Sequence, residues 1–303
     1  MNNIDAQACL EAFVIEEALP KTFVAQAHQW YFPLTERILK RHALHQQGAK
    51  KPLFVGINGA QGSGKSTLSA LLVKIMSKVH QLNAICMSLD DFYLTKAERQ
   101  SLSHSIHPLL KTRGVPGTHD TDLIQHCLSD LMYGCDTLVP RFDKAIDDRA
   151  DKALWQRVSH PMDIIILEGW CVGTPAQAES NLQRPINSLE LEHDENGIWR
   201  HFINDKLNHE YQAIFKQIDY LIMLKAPSFS HIFNWRCEQE EKMQNKNIAR
   251  GIPAGGMSKS EIEDFIQHYE RITVHGLQAL TPICHEVFEL NEHRSIIECR
   301  QNK

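Results

Sequence analysis

One segment of the sequence combines glycines, a lysine and a hydroxyl residue at a spacing that can bind phosphate. Residues 59–66 read GAQGSGKS and match G-x-x-x-x-G-K-[ST], the phosphate-binding loop. Glycines let backbone N–H groups turn toward an anion, and the helix that follows directs its positive N-terminus at the same place. Lys65 would reach the β- and γ-phosphates, and the Ser66 hydroxyl would coordinate Mg²⁺. The residues expected to bind the nucleotide are Gly59, Ala60, Gln61, Gly62, Ser63, Gly64, Lys65, Ser66 and Thr67.

Two adjacent carboxylates, Asp90 and Asp91, close a second apolar segment that begins at Ala84. Transfer of a phosphoryl group to an alcohol needs a carboxylate that orients the hydroxyl and accepts its proton. The end of a strand beside the phosphate-binding loop is a suitable place for that group. Either carboxylate could instead cap a helix that follows, and for Asp91 we expect capping.

A third acidic residue, Glu168, follows an apolar run that covers residues 163–167. This is the Walker-B arrangement, in which an acid at a strand end holds Mg²⁺ or its water ligands. The alternative is a solvated charge at the edge of the sheet. For Trp170, two residues further on, packing is a better explanation than stacking on a substrate.

Five short apolar runs indicate the elements that must position these residues, and they cover residues 53–58, 84–89, 163–167, 218–224 and 286–290. Continuous apolar runs separated by helical stretches are typical of parallel strands buried on both faces. Ligands bind at the C-terminal ends of such strands. We predict a three-layer α/β fold of the P-loop NTPase class, with a mainly parallel sheet of about five strands. Helical spacing predicts an N-terminal helical extension over residues 1–50, which leaves 51–303 as the main domain.

Composition and charge argue against several classes of protein. The 303 residues carry a net charge of −5 at pH 7, whereas nucleic-acid binders usually show a basic excess, so we expect no nucleic-acid partner. No apolar run approaches the roughly 20 residues of a membrane span, and the N-terminus lacks a signal-peptide pattern. We therefore expect no membrane partner and a cytoplasmic location. None of the eight cysteines forms a CxxC pair, which argues against a zinc site and a disulfide framework.

Together these segments resemble the P-loop kinases that include uridine kinase, pantothenate kinase and phosphoribulokinase. Within that group the chain is most similar to the plant and fungal type of D-glycerate 3-kinase, over roughly residues 52–290. The similarity lies in the segments GINGAQGSGKST (56–67), SLDDFYLT (88–95), RGVPGTHD (113–120), PRFDKAIDDRA (140–150), ILEGWCVG (166–173) and APSFSHIFNWRCEQE (226–240). The chain departs from the glycerate kinases at Cys171-Val172 and in the acidic stretch of residues 190–195.

The resemblance implies Mg²⁺- and ATP-dependent phosphorylation of a small hydroxylated acid, with D-glycerate giving 3-phosphoglycerate as the leading candidate. It implies that Asp90 is the base, and that Lys65 and Arg236 stabilise the transferred phosphoryl group. Arg236 would belong to a lid of about residues 236–256. The implied metal ligands are Ser66, Asp90 and Glu168. The implied substrate-binding residues are Asp91, Tyr93, Arg113, Asp120, Arg141, Asp143 and Arg149.

The charges of the implied substrate segments bear on the acceptor. Arg141, Lys144 and Arg149 make residues 140–149 rich in cations, and Arg113 lies in the other candidate substrate loop. A carboxylate substrate is well bound by a bidentate guanidinium, so these cations favour an anionic acceptor over a nucleoside. Alternatively, the cations are solvated or pair with nearby acids. Those acids are Asp143, Asp147 and Asp148.

Two other functions stay open on this reasoning. The first is a kinase of the same fold that acts on pantothenate, a nucleoside or a sugar phosphate. The second is a nucleotide-binding regulatory protein without acceptor chemistry, against which the presence of both Asp90 and Glu168 argues. The sequence leaves the oligomeric state open.

Overall fold

A six-stranded β-sheet forms the middle layer of this computed structural model, which describes residues 3–48, 51–249 and 256–302. The strands are β1 (Leu53–Gly59), β2 (Ala84–Ser88), β3 (Thr137–Val139), β4 (Phe142–Asp143), β5 (Asp148–Arg149), β6 (Gln156–Val158), β7 (Ile164–Gly169), β8 (Tyr220–Lys225), β9 (Glu286–Leu290) and β10 (Ile296–Gln301). The sheet order is β10-β9-β8-β1-β7-β2. Strand β10 is antiparallel to β9, and all other neighbours in this sheet are parallel. Strands β3 with β6, and β4 with β5, form two short antiparallel ladders.

Helices cover both faces of the sheet. In chain order they are α1 (Asn3–Glu16), α2 (Thr22–Gln26), α3 (Phe32–Gly48), α4 (Lys65–Val79), α5 (Lys96–Ser105), α6 (Thr121–Tyr133), α7 (Ser188–His193), α8 (Ile198–Lys206), α9 (Gln212–Phe215), α10 (Phe229–Ala249) and α11 (Lys259–Ala279). Short π-helical turns connect α2 to α3 and α8 to α9. A capping box begins α11, where the side chains of Ser258 and Glu261 cap each other's backbone.

Alternate residues of the strands pack into two separate cores. On β1, Phe54 belongs to one core, whereas Leu53 and Val55 belong to the other. Helices α6, α8 and α11 cover the first face, and α1, α3 and α4 cover the second. This alternation explains the continuous apolar runs, because a strand between two helical layers buries both of its faces.

The predicted three-layer fold with a mainly parallel sheet is confirmed, and the sheet has six strands where about five were expected. The sixth strand is β10, whose residues read IIECRQ and are mostly exposed. An edge strand with one wet face carries no continuous apolar run, which is why the pattern missed it. Residues 3–48 are helical as expected, and the boundary at residue 50 stays a prediction.

Two further sequence expectations bear on the whole chain. Among the described residues, no helix has both the length and the apolar character that a membrane span requires. Most of the expected lid falls within α10, whereas residues 250–255 of it lie outside the described residues.

Candidate active site

The phosphate-binding loop connects β1 to α4 at the C-terminal edge of the sheet. Gly62 and Gly64 have φ of +77° and +93°, a region that side chains disfavour and glycine tolerates. At Gly59 the constraint is space, because a Cβ there would lie 2.5 Å from the Ser63 hydroxyl oxygen. No side-chain hydrogen bond caps the start of α4. Its first N–H groups are therefore available to an anion, as the motif predicts.

Glu168 lies beside this loop near the end of β7, in register with Ile57 of β1. Ser66 Oγ donates to Glu168 Oε1 at 2.9 Å, and Lys65 Nζ lies 3.8 Å from Glu168 Oε2. Glu168 is only 4% exposed, so the alternative of a solvated edge charge is wrong. Within the described residues, its Oε2 and the Ser63 Oγ are buried without a hydrogen-bond partner. Because buried polar atoms normally have partners, both atoms can accept a further polar contact from a bound group.

Asp90 stands on a 3₁₀ turn, Leu89–Phe92, that follows β2. Its Oδ1 accepts a hydrogen bond from the Tyr93 hydroxyl at 2.7 Å, and its Oδ2 lies 2.7 Å from Lys144 Nζ. Burial alone would raise the pKa of Asp90, but the charges of Lys144 and Lys65 outweigh it. The two hydrogen bonds act in the same direction, so the pKa of Asp90 is well below its usual range.

Asp91 does not cap a helix, and that expectation is wrong. Thr95 caps α5, through a capping box with Glu98. The Asp91 carboxylate instead accepts hydrogen bonds from Arg141 Nη1 at 2.8 Å and from the Phe142 backbone N–H at 3.1 Å. Asp91 therefore attaches the β4 strand to the end of β2.

The hairpin formed by β4 and β5, hereafter the substrate hairpin (residues 140–149), is attached to the site by ion pairs. Arg149 pairs with Asp120 at 2.6 Å, and Asp120 also caps α6. Of the pairings foreseen from sequence, only that of Arg113 with Asp147 is present among the described residues. The other cations pair with acids on distant elements, because the hairpin folds back over the ends of the strands. Asp143 is exposed, and its carboxylate accepts a hydrogen bond from the Ala145 N–H within the hairpin turn.

Helix α10 reaches the phosphate-binding loop through Trp235, not through its arginine. A Cβ on Gly62 would lie 2.9 Å from Trp235 Cβ, so the two backbones are closely packed there. Arg236 forms an ion pair at 2.6 Å with Glu240, one turn along the same helix. The predicted role of Arg236 at the phosphates stays a prediction.

Two aromatic residues that support Asp90 were not foreseen. The His119 ring lies 4.6 Å from that of Tyr93, and His119 Nδ1 lies 2.6 Å from the Tyr211 hydroxyl. The Tyr211 hydroxyl also accepts a hydrogen bond from the Gly117 N–H at 3.1 Å. Burial lowers the pKa of His119 to about 3. Nothing in a sequence with 17 histidines singled this one out.

Trp170 packs against protein, as expected. It is 5% exposed, its indole N–H donates to the Gly114 carbonyl at 2.9 Å, and its ring meets the Tyr269 ring edge-on. Its position behind the site makes it part of the wall that supports the Arg113 loop.

Comparisons with known proteins agree with this geometry, although no protein-family model matches the chain. The protein called uncharacterized kinase mug58, from Schizosaccharomyces pombe, is 32% identical over 276 residues, which are 86% of this chain and 96% of that protein. The chain is a P-loop kinase, of the family that includes D-glycerate 3-kinase.

Two other members of this P-loop kinase family carry the name D-glycerate 3-kinase. The chloroplastic enzyme of Arabidopsis thaliana is 30% identical over 261 residues, or 81% of this chain, which spans about half (53%) of the plant protein. The solved structure from Cryptococcus neoformans is 28% identical, with a TM-score of 0.76, and the match covers 89% of this chain and 98% of that one. This P-loop kinase is therefore an ATP-dependent enzyme with a small-molecule acceptor.

The residues of this P-loop kinase that could hold a divalent cation are Ser66 and Glu168. A hydroxyl and a carboxylate are hard oxygen ligands of the kind that Mg²⁺ prefers, with phosphate and water oxygens completing its shell. Glu168 Oε2 is buried without a hydrogen-bond partner, so the donor set fits. Among the described residues no group of three or more His, Cys, Asp or Glu forms a closed metal cage. The Asp90 oxygens contact Tyr93 and Lys144, and a metal role for Asp90 stays a prediction.

Proposed function

We propose that this kinase transfers the terminal phosphoryl group of ATP to the primary hydroxyl of D-glycerate, giving 3-phosphoglycerate and ADP. The observation that carries the proposal is the convergence of Asp90, Lys65 and the cations of the substrate hairpin at one edge of the sheet. The two relatives that bear the name D-glycerate 3-kinase support the same acceptor.

The residues divide the reaction between them. Asp90, charged at neutral pH, orients the acceptor hydroxyl and accepts its proton as the new O–P bond forms and the bond to ADP breaks. Lys65 and the N–H groups at the start of α4 stabilise the charge on the phosphoryl oxygens. Ser66 and Glu168 would hold Mg²⁺, which when bound neutralises charge on the phosphates.

The substrate hairpin would supply the acceptor site. It brings Arg141, Lys144 and Arg149 to the end of β2, where they carry positive charge around Asp90 and Asp91. A small acid gains from this charge, whereas a neutral nucleoside does not. Closure of the predicted lid, whose described part lies in α10, would exclude water, which otherwise competes as the acceptor.

A coupled ADP assay with purified protein tests the acceptor. The panel contains D-glycerate, glycerol, pantothenate, uridine and ribulose 5-phosphate, each with ATP and Mg²⁺. We expect D-glycerate to give the highest kcat/KM, with ³¹P NMR placing the phosphate on the primary hydroxyl. Faster turnover of uridine, pantothenate or the sugar phosphate would replace D-glycerate as the acceptor.

Asp90→Asn separates catalysis from nucleotide binding in the same assay. An amide cannot accept the proton, so kcat with the preferred acceptor should fall by about 10²- to 10⁴-fold. ATP affinity, measured by calorimetry, should stay within about threefold, because the loop and Lys65 are intact. Full activity in Asp90→Asn would show that the base has been assigned wrongly.

A further inference from the structure

Three of the four cations around the acceptor site are held by several protein groups. Arg141 bonds to Asp91 at 2.8 Å and to Gln156 at 3.1 Å. Arg149 donates to the Tyr93 carbonyl at 3.0 Å and to Asp120 at 2.6 Å.

Arg113 is the third of these cations. It pairs with Asp147, and its guanidinium lies over the Phe142 ring at 5.5 Å. Each of the three arginines thus has two fixed contacts that shape the site, and releasing one would cost at least two interactions.

Lys144 is different. Within the described residues its side chain makes one contact, the 2.7 Å ion pair with Asp90 Oδ2, and it is 59% exposed. An ammonium group has three N–H donors, so two of them remain on the open side of the hairpin. Lysine also has a flexible stem, which lets its charge move to a new partner at little cost.

The position of this ammonium matters because it stands where the acceptor must arrive. Each Asp90 oxygen has one donor, but the Tyr93 hydroxyl on Oδ1 belongs to a buried residue, whereas Lys144 on Oδ2 is exposed. Oδ2 is therefore the oxygen that an acceptor hydroxyl can approach. A neutral acceptor would have to compete with the ammonium for that oxygen. An acceptor with a carboxylate two carbons away from the reacting hydroxyl would bring its own partner for the ammonium.

We propose that Lys144 is the residue that selects an anionic acceptor, by bridging its carboxylate to Asp90 and so placing its hydroxyl on Asp90 Oδ2. This inference rests on the proposed function and names the residue that makes the acid a better substrate than the corresponding neutral alcohol. It predicts that charge at position 144 controls the choice between D-glycerate and glycerol, which differ at the carboxylate.

Steady-state kinetics with both acceptors test the inference on the full chain. In Lys144→Met, which keeps most of the length of the side chain and removes its charge, kcat/KM for D-glycerate should fall about 10- to 100-fold, mainly through KM. kcat/KM for glycerol should not fall, because a neutral acceptor no longer competes with the ammonium for Asp90 Oδ2, and KM for ATP should stay within about threefold. Lys144→Arg restores the charge and should recover most of the preference for D-glycerate. Lys152→Met is the matched control, because Lys152 is exposed on the next turn and contacts only the Trp155 ring among the described residues.

The outcomes separate this inference from the proposed function. If the wild type uses D-glycerate and Lys144→Met keeps the wild-type ratio between the two acceptors, Lys144 does not select charge. An equal loss with both acceptors also overturns the inference, because it assigns Lys144 to the support of Asp90 or of the hairpin. A wild type that does not use D-glycerate overturns the proposed function, and the inference with it. Thermal melting of each variant shows that any loss of activity is not a loss of fold.

Discussion

At the scale of single residues, the site depends on where carboxylates are buried and what they contact. Glu168 and Asp90 lie at the ends of neighbouring strands, yet they have different partners. Glu168 receives the Ser66 hydroxyl and keeps one oxygen without a hydrogen bond, whereas both Asp90 oxygens have donors. The first arrangement suits a cation and the second suits a hydroxyl acceptor.

Glu168→Gln should weaken the binding of Mg²⁺ and leave the phosphate-binding loop intact. The amide loses the negative charge that would hold the cation, so the Mg²⁺ concentration for half-maximal activity should rise about 10- to 100-fold. Activity measured against Mg²⁺ at saturating ATP checks this. Glu289→Gln, on β9 and paired with Lys225, is the control and should leave the Mg²⁺ curve unchanged. An unchanged curve in Glu168→Gln would exclude Glu168 as a metal ligand.

The buried His119 should make stability depend on pH. Its pKa is lowered by burial to about 3, from 6.5 for an exposed imidazole. Below pH 6.5 the His119 side chain is protonated in the unfolded chain but stays neutral in the native state. The free energy of unfolding therefore falls as the pH falls toward 3. The loss from this group is roughly 2 kcal/mol between pH 6.5 and pH 5.

Urea unfolding at pH 7 and pH 5 measures that dependence. His119→Gln should be less stable than the wild type at pH 7 but should lose less stability on acidification. His126→Gln, whose imidazole is 74% exposed, should keep the wild-type difference between the two pH values. Equal losses in all three proteins would mean that His119 binds a proton in the native state.

At the scale of elements, two contacts position the elements that flank the site. The substrate hairpin is held to β2 through Asp90 and Asp91, and α10 is held to the phosphate-binding loop through Trp235. The two contacts lie on different elements. A displacement of the substrate hairpin would change the surroundings of Asp90, and a displacement of α10 would change those of the phosphate-binding loop.

Gly62→Ala tests the contact between α10 and the loop. The new Cβ meets Trp235 Cβ at 2.9 Å and also occupies a φ of +77°. Gly64→Ala is a matched control, since its φ is +93° but nothing lies within 4 Å of the added Cβ. Strain alone should cost about 1–2 kcal/mol in both variants. Gly62→Ala should lose further stability and also ATP affinity. Equal melting temperatures of the two variants would show that Trp235 shifts to accept the added Cβ at little cost.

At the scale of the whole molecule, buried ion pairs join segments that are distant in sequence. Glu286 on β9 is fully buried and accepts two hydrogen bonds from Arg37 of α3, at 2.7 and 2.6 Å. The Tyr220 hydroxyl also donates to Glu286. Because Glu286 is the first residue of β9, this pair attaches α3 to the end of the strand opposite the C-terminal edge where the phosphate-binding loop lies.

Arg37→Met should destabilise the whole chain and leave the chemistry intact. The substitution leaves the buried Glu286 carboxylate without its cationic partner. Removal of one partner of a buried pair costs about 3 kcal/mol or more. Lys74→Met, which removes an exposed pair between α4 and Glu16 of α1, is the control and should cost under about 1 kcal/mol. Chemical denaturation gives both values. The kcat of the folded enzyme should be unchanged in both variants. Similar losses of stability in the two variants would mean that burial does not strengthen the Arg37 pair.

Local patterns were sufficient for the parts of the molecule whose physics is local. The phosphate-binding loop needs glycines, a lysine and a helix N-terminus within one short segment, so contiguous residues determine it. Buried parallel strands bury both faces, so their apolar runs located five of the six strands of the sheet. The carboxylates at strand ends followed from the same runs.

Partner choice among charged residues was decided only by the tertiary structure. The acidic stretch around Glu190 shows this, because Glu190 is fully buried and pairs with Arg271 of α11. Lys144 likewise meets Asp90 across 54 positions of sequence. An ion pair depends on a distance of a few ångströms between side chains that chain folding brings together, and no local spacing encodes that distance. The sequence by itself thus determined the phosphate-binding loop and the class of reaction, and the folded hairpin decided which charges surround Asp90 and Asp91.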